Sequence, residues 1–557
     1  MDQAKVNERF AVTFVDQLAA SGIADVCLAP GSRSAPLAMA FARHPGLRTR
    51  VLIDERSCAF FGVGLAKASG RPVAILCTSG TAAAEFHAAV VEAHHSQTPL
   101  LVLTADRPPE LLGVGANQAI DQARLYGSAV RWYHDPGVPE DGPQAGTLWR
   151  RLAARAVAEA SGPPARPVHL NLPFREPLVP PPGTAESPLT GRLAPVRVEA
   201  GRRSADLGPL RLALAAAERP VLVAGEMRDG ARLAAAAAAV SVPVLAEPSS
   251  HLRQVELPYD AMLRDPAWAA AHRPDLVVRV GAPPTSKPLN QWLAAAGART
   301  FLVAESGWPD PDLLATDLLR CDPLPVVEAL AGPATAWTET WRQAGERAAR
   351  ALDAALAAGP LYEGQAVRAL AAAAPPDAAL FVGSSMPIRD VDTFWPRTGP
   401  RQSFLGNRGA SGIDGLVSSG LGMAAAWPDR PAVLLLGDLS LYHDMNGLWA
   451  LRRHGLRATV VVLDNDGGGI FEFLPQAAHR DVFEEVFATP LGLRLEDVAR
   501  LYGMRFACVD RAEDVPAAMA AALGAEDSVL LSVRFRRSDS VEGHRACWRA
   551  VAEALAV

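Results

Sequence analysis

Lysine is almost missing from this chain. Of its 54 basic residues only Lys5, Lys67 and Lys287 are lysine, a skew that reads as genome composition and makes Lys287 conspicuous. Cysteine is sparse: six residues, scattered, with no CxxC. That excludes a disulfide scaffold or a zinc ribbon and leaves reduced core thiols. The twelve histidines form no HExxH, and His94, His95 and His443 read as surface or packing residues. No apolar run approaches the roughly 18 residues of a membrane span, and no charged-then-apolar leader opens the chain. A cytoplasmic location without membrane insertion is expected. A net charge of −6 points to neither nucleic acid nor an anionic membrane. The run GVGLAK at 62–67 lacks the last glycine of a dinucleotide fingerprint and sits inside a helical stretch, which argues against a nicotinamide dehydrogenase.

What is present is a 557-residue chain with 49% apolar and 20% charged residues, enough for about three or four domains at roughly 150 residues each. Short apolar runs alternate with Ala-rich helical stretches. Strands are expected at 26–28, 73–77, 100–103, 168–171, 221–224, 242–245, 276–280, 301–303, 380–382, 433–436, 460–463 and 529–533. The class is α/β with doubly wound parallel sheets. A Pro-rich stretch at 172–192 and a break at 332–341, with a helix beginning near Glu339, divide the chain into units of about 1–180, 195–335 and 345–557. No short repeat is visible.

The most informative segment is 437–471, GDLSLYHDMNGLWALRRHGLRATVVVLDNDGGGIF. Gly-Asp follows one apolar run and Asp-Asn-Asp-Gly follows the next, so Asp438 and Asn465 both fall where a strand ends. One helix is expected between them, at 444–454, completing a βαβ unit. A carboxylate, an amide oxygen and a backbone carbonyl suit a hard cation, and glycines let backbone approach a phosphate. The plain alternative is an ordinary βαβ turn with Asp438 as a helix cap.

This segment resembles the diphosphate site of the pyruvate-oxidase-like thiamin diphosphate (ThDP) enzymes. The resemblance implies three domains: pyrimidine-binding (1–180), central (195–335) and diphosphate-binding (345–557). It implies a metal held by Asp438, Asn465 and Gly467, Mg²⁺ with Mn²⁺ as a possibility. Leu439, Ser440, Gly468, Ile470 and Phe471 would line the cofactor. Asp464 and Asp466 depart from the asparagines common at these places and add negative charge, and Asp466 could itself ligate. Glu55, in IDER before a helix, matches the acid that meets N1′ of the aminopyrimidine and is the one catalytic residue implied; Asp54 and Glu55 also suit a plain helix start. Ile413 would prop the cofactor, or serve equally well as a core aliphatic. In this family the acid and the diphosphate site come from different subunits, so a homodimer or a dimer of dimers is implied.

Further segments resemble a single branch of the family: APGSRSAPL at 29–37, LTADRPPEL at 103–111, GANQAID at 115–121, PPTSKPL at 283–289, VGSSMPIR at 382–389 and NRGASGIDG at 407–415. That branch decarboxylates 2-oxoglutarate and adds the four-carbon remainder to isochorismate. Both substrates are dicarboxylates, which Arg forks and a Lys charge suit. The implied substrate contacts are Ser32, Arg33, Arg107, Asn117, Gln118, Lys287, Ser385, Arg389 and Arg408. Ser385 and Arg389 would face the same way on a helical turn. Pro288 stands where some members have a second cation. Another ThDP-dependent 2-oxo acid decarboxylase or carboligase is the alternative reading.

Overall fold

The computed structural model describes residues 2–183, 186–199, 204–227, 230–253, 256–397, 399 and 401–556. Within the Pro-rich stretch, Thr184 and Ala185 lie outside the described residues, as do the terminal Met1 and Val557 of the outer units. Three sheets are present, and the chain clusters into two compact units.

The first unit comprises 1–200, 406–432 and 440–458. Its sheet has six strands: β1 (Asp25–Leu28), β2 (Arg48–Val51), β3 (Val73–Cys77), β4 (Leu100–Asp106), β5 (Trp132–His134) and β6 (Val168–Pro173), in the order β2-β1-β3-β4-β6-β5 with every pairing parallel. The inner strands β1, β3, β4 and β6 are buried along their whole length, which is why they read as unbroken apolar runs. The helices Glu55–Ser69 and Leu416–Ala426 cross at close range because a Cβ on Gly64 would lie 1.9 Å from the Ser419 carbonyl oxygen and one on Gly422 would lie 2.1 Å from that of Phe61. The glycines at 62–64 are thus packing glycines.

The second unit comprises 201–405, 433–439 and 459–557 and holds two sheets. The central one runs β7 (Pro220–Ala224), β8 (Val244–Ala246), β9 (Leu276–Val280), β10 (Arg299–Val303) and β11 (Asp317–Leu319) in the order β11-β10-β9-β7-β8. The third has β12 (Ala379–Val382), β13 (Ser403–Leu405), β14 (Ala432–Gly437), β15 (Thr459–Asp464), β16 (Arg505–Val509) and β17 (Val529–Arg534), ordered β13-β12-β14-β15-β17-β16. Counted from its own first strand this is the same 2-1-3-4-6-5 path as the first sheet. One apolar core joins the two sheets of this unit, from Val221 and Val277 through Trp341 and Leu352 on the helix Ala336–Ala358 to Val433, Val461 and Leu531.

The structure differs from the sequence expectations in four places. Strands β2, β5, β11, β13 and β16 are additional, each at a sheet edge, and edge strand β8 begins at Val244 rather than 242. The helix expected near Glu339 starts at Ala336 behind a Thr335 cap. Where one helix is expected at 444–454, the structure has two short pieces, Met445–Leu448 and Trp449–His454, and a further helix, Asp438–His443, precedes them. Asp444 separates it from them: its buried carboxylate accepts from the Ser418 amide (2.7 Å), the Ser418 hydroxyl and the Ser57 hydroxyl (3.0 Å each), and its φ of −131° is not helical. Finally, Ser385 is not on the helical turn with Arg389. It caps the helix Met386–Phe394 at φ +75°, ψ −129°, and Arg389 reaches back to its carbonyl. All six cysteines are free thiols, five of them buried. No described helix is long and apolar enough to cross a membrane.

Candidate active site

Parallel strands deliver their C-terminal ends to one edge, and crevices open there where the strand order reverses. In the first unit that edge gathers Ser32 and Arg33 after β1, Glu55 after β2, Thr78 to Gly80 after β3 and Arg107 after β4. Gly31 permits the close approach of the turns after β1 and β3: a Cβ there would sit 2.3 Å from Thr78 Cβ.

Glu55 opens its helix, and the turn is fixed from several sides. Asp54 is the N-cap and accepts from the Ser57 amide (2.9 Å), Asn446 donates to Asp54 (3.1 Å), and Arg56 donates to the His443 carbonyl (2.6 Å). The capping role therefore belongs to Asp54, and Glu55 is left half-buried with its side chain uncommitted to the cap. Burial raises the Glu55 pKa, with the charges of Asp54 and Glu85 adding to it, so its proton is held more tightly than on an ordinary carboxyl.

Ser32, Asn117 and Gln118 are exposed, Gln118 at φ +55° against Gly80. Arg107 donates to the Asn117 carbonyl (2.9 Å). Arg33 is buried, and its fork is engaged with the Phe174 carbonyl (2.9 Å) and Glu176 (2.8 Å). Two supporting groups escaped the sequence reading. Gln122 is buried and joins the turn after β3 to the end of β4, accepting from the Gly80 amide (2.9 Å) and donating to the Ala105 carbonyl (3.1 Å). Lys67 and Glu92 form a buried pair (2.7 Å) under the loop carrying Arg408 and Ile413. Lys67 also donates to the Gly406 carbonyl (2.7 Å), and Glu92 accepts from the amides of Gly409 (3.0 Å) and Ala410 (2.7 Å). The scarcity of lysine was the available signal for Lys67. Ile413 is half-buried, not a core residue.

In the second unit, Ser385 follows β12, Asp438 follows β14 and Asn465 follows β15, on neighbouring strands. The Asp438 carboxylate accepts from the amides of Leu439 (2.7 Å) and Gly467 (2.8 Å). Burial pushes its pKa up to about 7 against the lowering effect of those two amides, and the charges of Asp464 and Asp466 push the same way. Asn465 Oδ1 is buried and has no partner. The backbone here demands glycine: Gly467 has φ +137°, and a Cβ on it would sit 2.3 Å from the Ala488 carbonyl oxygen. A cavity of about 580 Å³ lies beside the turn, lined in part by Asn465, Asp466, Arg534 and Arg537. Among the described residues no cluster of three His, Cys, Asp or Glu could hold a metal. A desolvated carboxylate, an orphaned amide oxygen and an open glycine turn nonetheless fit a hard cation with phosphate oxygens completing its shell.

Asp464 is committed elsewhere, accepting from the Ser532 hydroxyl (2.8 Å) and Arg534 (3.3 Å), while Asp466 takes the Gly492 amide (2.9 Å). Leu439, Ile470 and Phe471 are half-buried around the turn, and Gly468 is buried within it. Ser440 is buried in the first unit. Lys287 is exposed at the start of the helix Lys287–Ala296, behind a Ser286 cap. Arg389 is exposed.

Comparison with known proteins identifies the family. Residues 9–125 match the N-terminal TPP binding domain of thiamine pyrophosphate enzymes, 211–382 their middle domain and 388–533 their C-terminal TPP binding domain. The chain is 45% identical to the 2-succinyl-5-enolpyruvyl-6-hydroxy-3-cyclohexene-1-carboxylate synthase of Geobacillus kaustophilus, over 98% of each chain. It is 43% identical to the synthase of that name from Haloarcula marismortui, over 100% of each, and 42% identical to that of Chloroflexus aurantiacus, over 98% of this chain and 97% of the other. Matched along nearly its whole length by these synthases and by all three domain models, this chain belongs to the 2-succinyl-5-enolpyruvyl-6-hydroxy-3-cyclohexene-1-carboxylate synthase family of thiamine pyrophosphate enzymes.

Proposed function

We propose that this chain decarboxylates 2-oxoglutarate and adds the remaining succinyl-semialdehyde unit to isochorismate by 1,4-addition, giving 2-succinyl-5-enolpyruvyl-6-hydroxy-3-cyclohexene-1-carboxylate and CO₂. The observation that carries the reading is identity above 40% along the full chain to synthases of that product. When bound, the cofactor supplies the nucleophilic carbon and takes up the electrons released with CO₂.

The chain's own residues do the rest. Asp438, the orphaned oxygen of Asn465 and the Gly467 carbonyl would hold Mg²⁺, with Mn²⁺ acceptable to the same oxygen donors. Glu55, whose proton burial stabilises, would share that proton with N1′ of the aminopyrimidine. Leu439, Ser440, Gly468, Ile470 and Phe471 would line the cofactor and Ile413 would support it. Arg107, Lys287, Arg389 and Arg408 would take the substrate carboxylates, with Ser32, Asn117, Gln118 and Ser385 as hydrogen-bonding partners. Arg33 would contribute by exchanging exposed Glu176 for a substrate carboxylate. Glu55 and the Asp438 turn lie on different sheets, which suits a site assembled from two copies in a homodimer or a dimer of dimers. Domain limits at 1–180, 195–335 and 345–557 and a cytoplasmic location belong to the same reading.

The test is incubation of the holoenzyme with isochorismate and either 2-oxoglutarate or pyruvate, with products identified by mass spectrometry. A coupled product from 2-oxoglutarate supports the proposal. Coupling from pyruvate alone would replace it with a different 2-oxo acid carboligase.

A further inference from the structure

His544 lies in the helix Arg537–Leu555 and none of the roles above uses it. It is 3% exposed and caged by aromatic rings: Tyr362 at 5.0 Å between centroids, Phe473 at 5.2 Å, Phe394 at 5.4 Å and Trp548 at 5.9 Å. Both ring nitrogens are committed. Nδ1 lies 2.8 Å from the Ser540 carbonyl, which can only accept, so Nδ1 carries a hydrogen. Nε2 lies 3.0 Å from Asp390 Oδ1. A second buried carboxyl, Glu363, accepts from the Ser540 hydroxyl (3.0 Å). The groups that face this cluster are Tyr362 and Cys547, bonded to each other at 3.0 Å, with Arg368 near Cys547 and Arg389 and Asp260 near Asp390. Burial lowers the His544 pKa, but the bond and charge of Asp390 outweigh it and raise it overall.

Asp390 belongs to the helix Met386–Phe394, which begins at Ser385. Ser385 holds a left-handed φ of +75° that a side chain adopts only under constraint. The constraint must come from the helix being fixed, and its inner face is indeed tied down. Asp390 meets His544, Asp392 meets Arg253 and the Tyr259 hydroxyl (2.6 Å), and Thr393 meets Asp260 (3.4 Å). Of these ties, the one to Asp390 lies nearest in sequence to Ser385 and Arg389.

We propose that His544 is a positioning residue for the reaction: by gripping Asp390 it fixes the helix that sets Ser385 in its constrained turn and aims Arg389. This rests on the proposed role of Ser385 and Arg389 toward substrate, and the experiment separates the two. In the full-length enzyme with ThDP and Mg²⁺, His544→Phe keeps the aromatic cage filled but removes the hydrogen-bonding partner of Asp390, and His544→Gln keeps a side-chain amide able to bond to it. Losing a hydrogen bond to a charged group corresponds to roughly tenfold or more in binding. KM for 2-oxoglutarate should therefore rise by about tenfold in His544→Phe and by less than about threefold in His544→Gln. ThDP affinity should be unchanged in both, and amide exchange at 384–389 should be faster in His544→Phe alone. Unchanged KM and unchanged exchange at 384–389 in His544→Phe overturn the proposal, as does an equal rise in both variants. If His544→Phe does not fold, His544→Asn, whose amide is too short to reach Asp390, replaces it under the same criteria. If Arg389→Ala leaves KM unaltered, the substrate placement fails, and the exchange data alone then decide whether His544 fixes the helix.

Discussion

Replacing Lys67 with Met would test how the loop carrying Arg408 and Ile413 is held. The Lys67 and Glu92 side chains are 6% and 3% exposed, so Lys67→Met strands a carboxylate in a dry site. Removing one partner of a buried ion pair costs about 3–5 kcal/mol. Glu92 keeps its two amide donors from Gly409 and Ala410, which places the cost near the lower end, at about 3 kcal/mol. A chain of several domains does not unfold in one step, so the readout is native-state hydrogen exchange at Gly409 and Ala410, whose opening free energy reports the loop itself. The double variant Lys67→Met/Glu92→Gln removes the stranded charge while preserving an acceptor for one of those two amides. It should recover about 1–2 kcal/mol of the loss. Lys67→Met within about 0.5 kcal/mol of the parent would refute the reasoning, as would a double variant no more stable than the single one.

Glu55→Gln should leave ThDP and Mg²⁺ binding, measured by tryptophan quenching, near the parent value while turnover of 2-oxoglutarate falls by at least about a hundredfold, because the amide can hydrogen-bond N1′ but cannot transfer a proton to it. Asp438 takes up a proton near pH 7, so the apparent Mg²⁺ affinity of the cofactor-loaded protein should fall below that pH by up to about tenfold per unit, as titration at several pH values would show. In the metal-free protein the sign is opposite. The folded pKa of about 7 exceeds the ordinary carboxyl value of 3.8, so the contribution of Asp438 to stability is complete below pH 3.8 and is lost as pH rises through about 7; denaturation midpoints across that window, compared with Asp438→Asn, measure it. Gly64→Ala should cost at least about 1–3 kcal/mol, because the added methyl would lie 1.9 Å from a backbone oxygen that cannot rotate away, and native-state hydrogen exchange in the helices Glu55–Ser69 and Leu416–Ala426 would register it.

What the sequence revealed follows the solvent. Every strand read from it lies inside a sheet except the displaced β8, and every strand it failed to reveal is an edge. An inner strand such as TVVVLD of β15 is buried on both faces and so is apolar throughout. An edge strand such as RTRV of β2 is half wet and carries no such signature. The turn proposed to hold the metal was legible because Asp438 and Asn465 end two consecutive parallel strands and its glycines are demanded by backbone geometry, both local facts. The supports were not. Lys67 and Glu92 stand 25 residues apart and His544 and Asp390 stand 154 apart, and only folding makes either pair.

The shared 2-1-3-4-6-5 path carries the argument further. No repeat is visible in the sequence, yet the first and third sheets follow the same order. Strand order constrains connection length, handedness and the alternation of apolar and helical segments, and almost any apolar residues satisfy it. The crevice where the order reverses is a different matter, since backbone must pass close there whatever the strands contain. In the first sheet it falls between β1 and β3, where Gly31 meets Thr78. In the third it falls between β12 and β14, where Ser385 takes its left-handed turn and Asp438 follows the strand. Some of the recognisable motifs, APGSRSAPL after β1 and VGSSMPIR and Gly-Asp at the ends of β12 and β14, therefore fall at the two places where the fold leaves least choice.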